Sequence, residues 1–289
     1  MTQVFLSRLF STVVLWTAVL WTIFSNYELG FFAMLSAVGL AALWEFYRML
    51  DHKGLPNFKV VGMICGAVML GGSFHYYGSV GPSQSYDWEM LSLLLFLLTV
   101  FTRQMFKRTQ DVAPLPTMAF TLFGLLYVIW MFNFVNKIVY ALPRVDHHVT
   151  GQFYVLYLIV VTKFSDMGAY LTGTVIGKHK MIPHISPKKT WEGFFGALVF
   201  STLGSCAMLA LMPHHLSRLN WVHATFLGVA LGFAAIVGDL AESILKRSTD
   251  TKDSGSFLPG IGGALDLIDS ILFTAPLLFL YLRVIIRVG

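Results

Sequence analysis

The chain has 289 residues, of which 56% are hydrophobic and only 12% are charged. Its mean hydropathy is +0.70. Soluble domains usually carry about 25% charged residues. The composition therefore excludes an ordinary soluble domain and predicts an integral membrane protein.

Windows of about 20 apolar residues predict where the chain crosses the membrane. These windows lie near 9–25, 29–48, 60–77, 90–106, 116–136, 153–176, 194–212, 222–245 and 264–286. We expect an all-α polytopic membrane protein with about nine transmembrane helices. The first helix is expected to be retained, because no small-x-small cleavage site follows it. Residues 1–150 are predicted to form a membrane scaffold and residues 151–289 the catalytic region.

The lysines and arginines predict the orientation of these helices. With the N-terminus in the cytoplasm, fourteen of them fall on the cytoplasmic side and five on the other side, while Lys163 lies within a span. This bias predicts a cytoplasmic N-terminus and an external C-terminus. The charged segment 238–270 would then face the cytoplasm.

The first 150 residues carry few features that indicate chemistry. Glu45 stands among aromatic residues near the end of a predicted helix, which favours an interfacial glutamate over a member of a site. Residues 78–89 contain Gly, Pro and Ser and predict an external turn region. Cys65 and Cys206 lie in separate spans, so we expect packing residues rather than a disulfide or a metal site.

Lys163 and Asp166 interrupt the sixth predicted helix and, three residues apart, share one of its faces. Asp166 continues into a stripe with Tyr170, Gly173 and Gly177, in which the small residues permit close helix approach. Two interpretations stay open. The pair could neutralise itself and stabilise the bundle, or it could mark a functional site, as ionisable residues within membranes commonly do.

A basic loop follows, from Gly177 to Gly193. Such loops usually indicate only a cytoplasmic location or attraction to anionic lipids. Here Ser186 followed by Pro187 predicts a helix that begins with a serine N-cap and a proline at its first position. Lys188 and Lys189 would then lie at a helix N-terminus, which favours phosphate binding.

The segment 238–270 combines two acidic helix faces with the same spacing of i, i+3 and i+4. The first face carries Asp239, Glu242, Ser243 and Lys246, and the second carries Asp266, Asp269 and Ser270. Carboxylate oxygens on two such faces suit Mg²⁺, whereas the histidine clusters that zinc favours are missing from the sequence.

The loop between the two faces is cationic and glycine-rich. It contains Arg247, Lys252 and Asp253, and then Gly262 and Gly263 ahead of the next predicted helix. Glycines at such a position let backbone N–H groups approach phosphate closely. Metal ligands, cations and backbone donors together predict a polyphosphate site.

The carboxylates of this segment could instead only pair with neighbouring bases. Six acids face three bases between residues 238 and 270, which argues against complete neutralisation. Asp250, in the loop, is the one we expect to be merely solvated.

These motifs resemble the phosphatidate cytidylyltransferase (CDP-diacylglycerol synthase) family. The family signature S-x-x-K-R-x4-K-D, followed by P-G-H-G-G-x-x-D-R-x-D, is matched between Ser243 and Asp269. The patterns D-x-x-A-Y-x-x-G-x-x-x-G-K and S-P-K-K-T-x-E-G are matched within 166–178 and 186–193. The motifs cover roughly residues 163–271, and the polytopic plan covers the whole chain.

Two positions depart from the signature. Ile261 stands where the family has histidine, and Leu267 stands where it has arginine. These changes remove a proton carrier and a phosphate-binding cation, so they predict altered acceptor specificity, weaker activity or a changed role.

The resemblance implies transfer of CMP from CTP to phosphatidate or a similar lipid phosphate, with Mg²⁺ and in some cases a second cation. It also implies an integral protein of the cell or inner membrane with its active site facing the cytoplasm. Membrane lipids and a second copy of the chain are the expected partners, and no nucleic acid is expected. We assign catalysis to Asp239, Asp253, Asp266, Asp269 and Lys252. Metal binding is assigned to Asp239 and Asp266 as the principal ligands, with Asp269 and Glu242 in support. Substrate binding is assigned to Asp166, Lys178, Ser186, Lys188, Lys189, Ser243, Lys246, Arg247, Gly262 and Gly263.

Three alternatives stay open. The chain could use another lipid phosphate, or it could be a weakly active or inactive paralogue that binds lipids or a partner. An ion-coupled transporter is the third, since intramembrane charges also mark ion pathways. The transporter is disfavoured because the charges gather at one predicted membrane side.

Overall fold

The computed structural model describes residues 2–25, 27–79, 82–107, 113–141, 150–255 and 262–287, with side chains except at 2–9, 78–79, 82–86 and 141. Ten α-helices, one π-helical segment and two short strands make up these ranges. The helices are α1 (Thr2–Phe24), α2 (Glu28–His52), α3 (Lys59–Ser79), α4 (Pro82–Met105), α5 (Pro114–Gly124), α6 (Met131–Ala141), α7 (Gln152–Val175), α8 (Trp191–Leu211), α9 (Trp221–Ser248) and α10 (Ala264–Val284).

The helices confirm the prediction of an all-α polytopic membrane protein. Within the described ranges, eight helical segments are long and apolar enough to cross a membrane, and Phe10–Phe24 forms a shorter apolar helix. The fifth of the predicted spans is one continuous path through α5, the π-helical segment Leu125–Trp130 and α6. Each predicted span coincides with a helix, because long apolar runs have no other way to satisfy their backbone groups in lipid.

The basic loop folds differently from its prediction. Strands β1 (Lys180–Ile182) and β2 (Ser186–Thr190) pair as an antiparallel hairpin, so the expected helix start at Ser186 and Pro187 is wrong. Helix α8 begins instead at Trp191. Its N-cap is Thr190, which has extended backbone angles and whose Oγ1 accepts a hydrogen bond from the Gly193 amide at 3.1 Å. Threonine satisfies one of the amides that a helix start leaves free.

The chain divides into two compact units. The first contains Met1–Tyr140 and Ser248–Ile268, and the second contains Ala141–Arg247 and Asp269–Gly289. One boundary between the units therefore falls within the first turns of α10.

In the first unit, α2 is anchored by Tyr47, whose side chain is fully buried. Its hydroxyl donates a hydrogen bond to the Thr121 carbonyl at 2.8 Å. A Cβ atom at Gly62 or Gly124 would overlap the Tyr47 ring, so both glycines are required for this packing. These contacts fix the rotation of α2 and therefore the direction of its other side chains.

The first unit also contains a buried ion pair that was not predicted. Lys137 Nζ lies 2.5 Å from Glu89 Oε2, and both side chains are less than a tenth exposed. Asn133 donates to the same glutamate at 2.7 Å. Residues 78–89 were expected to form a turn region, but α4 begins at Pro82, because proline suits the first turn of a helix. The helix carries Glu89 into the protein, where Lys137 compensates its charge.

Removing either partner of this ion pair is expected to destabilise the protein. Breaking a buried pair typically costs about 3–5 kcal/mol, because the remaining charge is buried without compensation. Lys137→Met and Glu89→Gln should each lower the thermal unfolding midpoint in detergent, and the double variant should regain part of the loss. A double variant no more stable than the worse single variant would contradict this coupling.

Candidate functional site

Small residues bring α7 and α8 close together in the second unit. A Cβ atom at Gly168 would lie 2.6 Å from the Gly196 carbonyl oxygen, and one at Gly193 would lie 3.0 Å from the Ala169 oxygen. Gly173 faces Gly193 and the side chain of Thr190. Of the predicted stripe, Gly173 lies at this close approach, whereas Gly168, which makes the tightest contact with α8, was not among its members.

A second close approach joins α9 to α10. A Cβ atom at Gly238 would lie 2.6 Å from the carbonyl oxygen of Asp269 and 2.8 Å from the Cα atom of Ser270. Ser270 Oγ donates to the Ala235 carbonyl at 3.1 Å. Because Asp239 directly follows Gly238, this contact brings the start of one acidic face beside the other.

Hydroxyl groups hold α7 against these two helices. Ser165 Oγ donates to the Gly232 carbonyl of α9 at 3.4 Å. The hydroxyls of Thr162 and Thr274 lie 3.3 Å apart, between α7 and α10. Three helices from separate parts of the sequence thus pack together where Lys163, Asp166 and Asp239 lie.

The result is an acidic cluster formed by Asp166, Asp239 and Asp269 with Lys163 and Lys189. Lys163 pairs with Asp166 at 3.2 Å, and Lys189 on β2 pairs with Asp239 at 2.7 Å. Asp269 interacts electrostatically with Asp239, Lys163 and Asp166. Three carboxyl groups meet two lysines, so the acids of the cluster outnumber its bases by one.

The members of the acidic cluster differ in exposure. The Asp269 residue is 8% exposed, whereas the side chains of Asp166 and Asp239 are 41% and 40% exposed. No lysine or arginine of the described residues lies within ion-pair distance of Asp269. A buried carboxylate backed by two accessible ones can attract a cation from solution.

Glu242 forms a separate ion pair with Lys246, at 2.7 Å and one helical turn further along α9. The glutamate side chain is only 3% exposed. For these two residues the structure favours the simple pairing that the sequence left open. Arg247 is exposed, and its Nε donates to the Ile185 carbonyl of the hairpin at 3.3 Å.

The other predicted substrate-binding residues of the second unit lie at its surface. Lys178 and Lys188 are exposed, and Ser186 and Ser243 are half-buried. The hairpin thus presents Lys188 to solvent while neighbouring Lys189 turns to the acidic cluster, as alternating residues of a strand do.

Asp266 occupies the first turn of α10, in the first unit. Its Oδ2 accepts a hydrogen bond from the Gly263 amide at 2.7 Å. Gly262 has φ +123°, a backbone conformation that favours glycine. Lys252 and Asp253 are exposed, whereas Ile261 lies outside the described residues. The glycines therefore lead into the helix as predicted, and Asp266 stabilises its start.

Glu45 is the functional candidate that the sequence interpretation missed. The Glu45 residue is only 6% exposed, so its carboxylate faces the protein interior. Its Oε2 accepts hydrogen bonds from the Leu265 amide at 2.9 Å and from the Ser254 hydroxyl at 3.2 Å. A lone carboxylate within an apolar helix was the available signal, since such residues are costly unless they are compensated.

The acidic cluster fits Mg²⁺ by the chemistry of its donors. Within the described ranges, no group of three or more His, Cys, Asp or Glu side chains is arranged to hold a metal ion by itself. Mg²⁺ does not require such a cage, because it commonly takes one or two carboxylates and completes its shell with water and substrate phosphates. Asp239 and Asp269 can supply those two carboxylates.

The apolar helices define an integral membrane protein, and its second unit carries an acidic cluster beside a basic hairpin. Residues 6–285 match the cytidylyltransferase family. The chain belongs to this family.

Curated relatives match between about half and most of the chain. A phosphatidate cytidylyltransferase of Bacillus subtilis is 33% identical over 260 residues, which are 88% of this chain and 89% of the relative. One from Staphylococcus haemolyticus is 36% identical over 188 residues, or 65% of each chain. An uncharacterised Escherichia coli protein, YnbB, is 39% identical over 133 residues, covering 46% of this chain and 43% of that protein.

Gly238→Ala is expected to disturb the acidic cluster. The new Cβ atom would meet the backbone of α10, which cannot move aside as a flexible side chain can, so α9 must shift away. We expect a lower thermal unfolding midpoint. Gly71→Ala in α3 is the matched control, because a Cβ atom there meets nothing within 4 Å. Its higher helix propensity should leave stability unchanged or improved, and equal loss in both variants would contradict the packing argument.

Proposed function

We propose that this protein transfers CMP from CTP to phosphatidate, or to a closely similar lipid phosphate. A phosphate oxygen of the lipid attacks the α-phosphorus of CTP. The new P–O bond gives CDP-diacylglycerol, and the bond to the β-phosphate breaks to release pyrophosphate. Membership of the family and the names of the relatives support this reaction.

The observation that carries the proposal is the close approach of Asp239 and Asp269 beside Lys189. Carboxylates that can hold a cation and a lysine that can bind phosphate are the two components a nucleotide triphosphate requires. Asp166 and Lys163 support this arrangement from α7.

The chemistry needs little general-base catalysis. A phosphate monoester has a second pKa near 6, so the acceptor is largely ionised at neutral pH and is already a nucleophile. The main barrier is the repulsion between two anions. Positioned cations lower that barrier because they stabilise the charge that develops on the transferred group and on the leaving pyrophosphate.

Asp239 and Asp269 are the residues we propose to hold Mg²⁺. When bound, the ion would neutralise phosphate charge and polarise the phosphorus–oxygen bonds of the nucleotide. The sequence-based assignments of Asp253, Asp266 and Glu242 to metal or catalytic roles stay predictions. Glu242 is the weakest of the three, because Lys246 already compensates its charge.

Lys189 is proposed to bind the triphosphate. It pairs with Asp239, so it can exchange that partner for a phosphate oxygen when a nucleotide arrives with its metal. The exposed side chains of Lys178, Lys188 and Arg247 are proposed to bind phosphate groups further out. Lys246 and Lys252 keep the same predicted role.

We also propose that the active site faces the cytoplasm, where CTP is made. The lysine and arginine bias supports this orientation. The acyl chains of the acceptor can stay in the bilayer while its head group reaches the site, which accounts for a nucleotide enzyme built from membrane helices. The resemblance to the family also suggests a homodimer.

Asp239→Asn and Asp269→Asn should each reduce turnover at least about a hundredfold, because an amide is a poor replacement for a charged metal ligand. Pyrophosphate release with CTP, Mg²⁺ and phosphatidate measures this. Asp250→Asn is the control. Asp250 is exposed and pairs with Lys53, which holds the pKa of Asp250 below its ordinary value, and its loss should leave turnover unchanged. Near-normal activity of the Asp239 or Asp269 variant would overturn that assignment.

Lys189→Gln should raise KM for CTP about tenfold or more, because one charge-assisted contact to phosphate is lost. Lys180→Gln is the control from the same hairpin, since Lys180 is exposed and carries no proposed role. Initial rates over a range of CTP concentrations distinguish the two variants. Equal KM values for both would remove Lys189 from the nucleotide site.

A panel of lipid phosphates tests the proposal as a whole. Purified protein with CTP and Mg²⁺ should release pyrophosphate with phosphatidate and give no release without lipid. Release with another lipid phosphate but not with phosphatidate would show that the other lipid is the acceptor. Silence with every lipid would favour an inactive paralogue.

A further inference from the structure

Glu45 of α2 lies against the glycine-rich loop and the start of α10, all within the first unit. A carboxylate that is 6% exposed is costly unless hydrogen bonds compensate its lost hydration. Both of its donors, Ser254 and Leu265, belong to the segment that carries the family motif. This segment therefore supplies the hydrogen bonds that keep the Glu45 carboxylate buried.

The start of α10 lacks a side chain of its own at the N-cap. Gly263 precedes Ala264, the first residue of the helix, and glycine offers no acceptor. An N-cap side chain normally accepts from the second or third amide of the helix. Glu45 Oε2 accepts from the Leu265 amide, the second of α10, at 2.9 Å. Glu45 thus caps α10 from another helix.

Asp266 completes this arrangement from within α10. Its Oδ2 accepts from the Gly263 amide at 2.7 Å, as the third residue of a capping box does. Two carboxylates therefore satisfy two amides at the positive end of the α10 dipole. If Glu45 were lost, the Leu265 amide would be buried without its acceptor.

The glycines of the loop fit Glu45 closely. A Cβ atom at Gly255 or at Gly263 would overlap the Glu45 carboxylate, so a side chain at either position would displace it.

We propose that Glu45 is a positioning residue that sets the placement of the glycine-rich loop and of the first turn of α10. In this role it would act without contacting nucleotide or lipid. It acts through the segment that carries Gly262, Gly263 and Asp266, and through α10, on which Asp269 follows one turn later. This inference rests on the proposed CMP transfer.

A carboxylate is required at this position for a physical reason. Glutamate offers two acceptor oxygens and a negative charge to a helix N-terminus. Glutamine has the same size but offers only one acceptor oxygen. Its NH₂ group is a donor and would face the Leu265 amide and the Ser254 hydroxyl, which are donors themselves. Hydrogen bonds to charged groups are roughly twice as strong as neutral ones. Glu45→Gln therefore weakens the cap with little change in volume.

The test compares Glu45→Gln with Glu89→Gln, the same substitution at an equally buried glutamate of the same unit that contacts Lys137 instead. Glu45→Gln should reduce kcat/KM for CTP about 10- to 100-fold, since small misplacements of a site are costly. It should also speed hydrogen exchange of the Leu265 amide. Glu89→Gln should lower the unfolding midpoint but leave KM for CTP and exchange at Leu265 unchanged.

A double-variant cycle gives a second readout. Gly255→Ala should speed exchange at Leu265 in the otherwise unchanged protein, because its methyl group displaces the carboxylate. In a Glu45→Ala background that methyl group meets open space, and Gly255→Ala should add little. Additive effects would overturn the proposed contact.

The two proposals fail in different ways. If the unchanged protein gives no lipid-dependent pyrophosphate release, the proposed reaction is wrong, whereas hydrogen exchange still tests the cap. If the unchanged protein is active and Glu45→Gln matches it in kcat/KM and in exchange at Leu265, Glu45 does not position the loop.

Discussion

Compensation of charge inside an apolar protein is the constraint on which this structure depends. An ionised side chain is costly within an apolar helix, so each such side chain has to be paired or hydrogen-bonded. Glu89 meets Lys137, and Glu242 meets Lys246. In the acidic cluster, by contrast, three carboxyl groups meet two lysines. The proposed Mg²⁺ would supply the missing compensation, which connects the energetics of the fold to the proposed chemistry.

Close backbone contacts produce this imbalance. Gly238 lets α9 touch α10, and the paired glycines of α7 and α8 let the basic hairpin approach Asp239. Ordinary side chains at these positions would separate the helices and let water screen each carboxylate by itself. The small residues thus have an electrostatic effect as well as a packing effect.

The fold could be predicted from the sequence because long apolar runs allow little besides helices in a membrane. The proximity of Asp239 and Asp269 could be predicted because their spacing places them on the acidic faces of two successive helices. Glu45 could not, since its two partners lie 209 and 220 residues further along the chain. The helix start at Ser186 was wrong because serine and proline satisfy a helix cap and also suit an edge strand, and only the pairing with β1 decides between them.

The ion pair between Lys189 and Asp239 has a consequence for turnover. The protein supplies its own counterion to a carboxylate that is proposed to receive a metal, so nucleotide binding would be an exchange of partners. The free energy of the displaced pair would then be subtracted from the affinity for CTP and recovered when pyrophosphate departs. An enzyme of this design gives up tight binding of both nucleotide and product and gains faster release, which favours throughput when CTP is abundant.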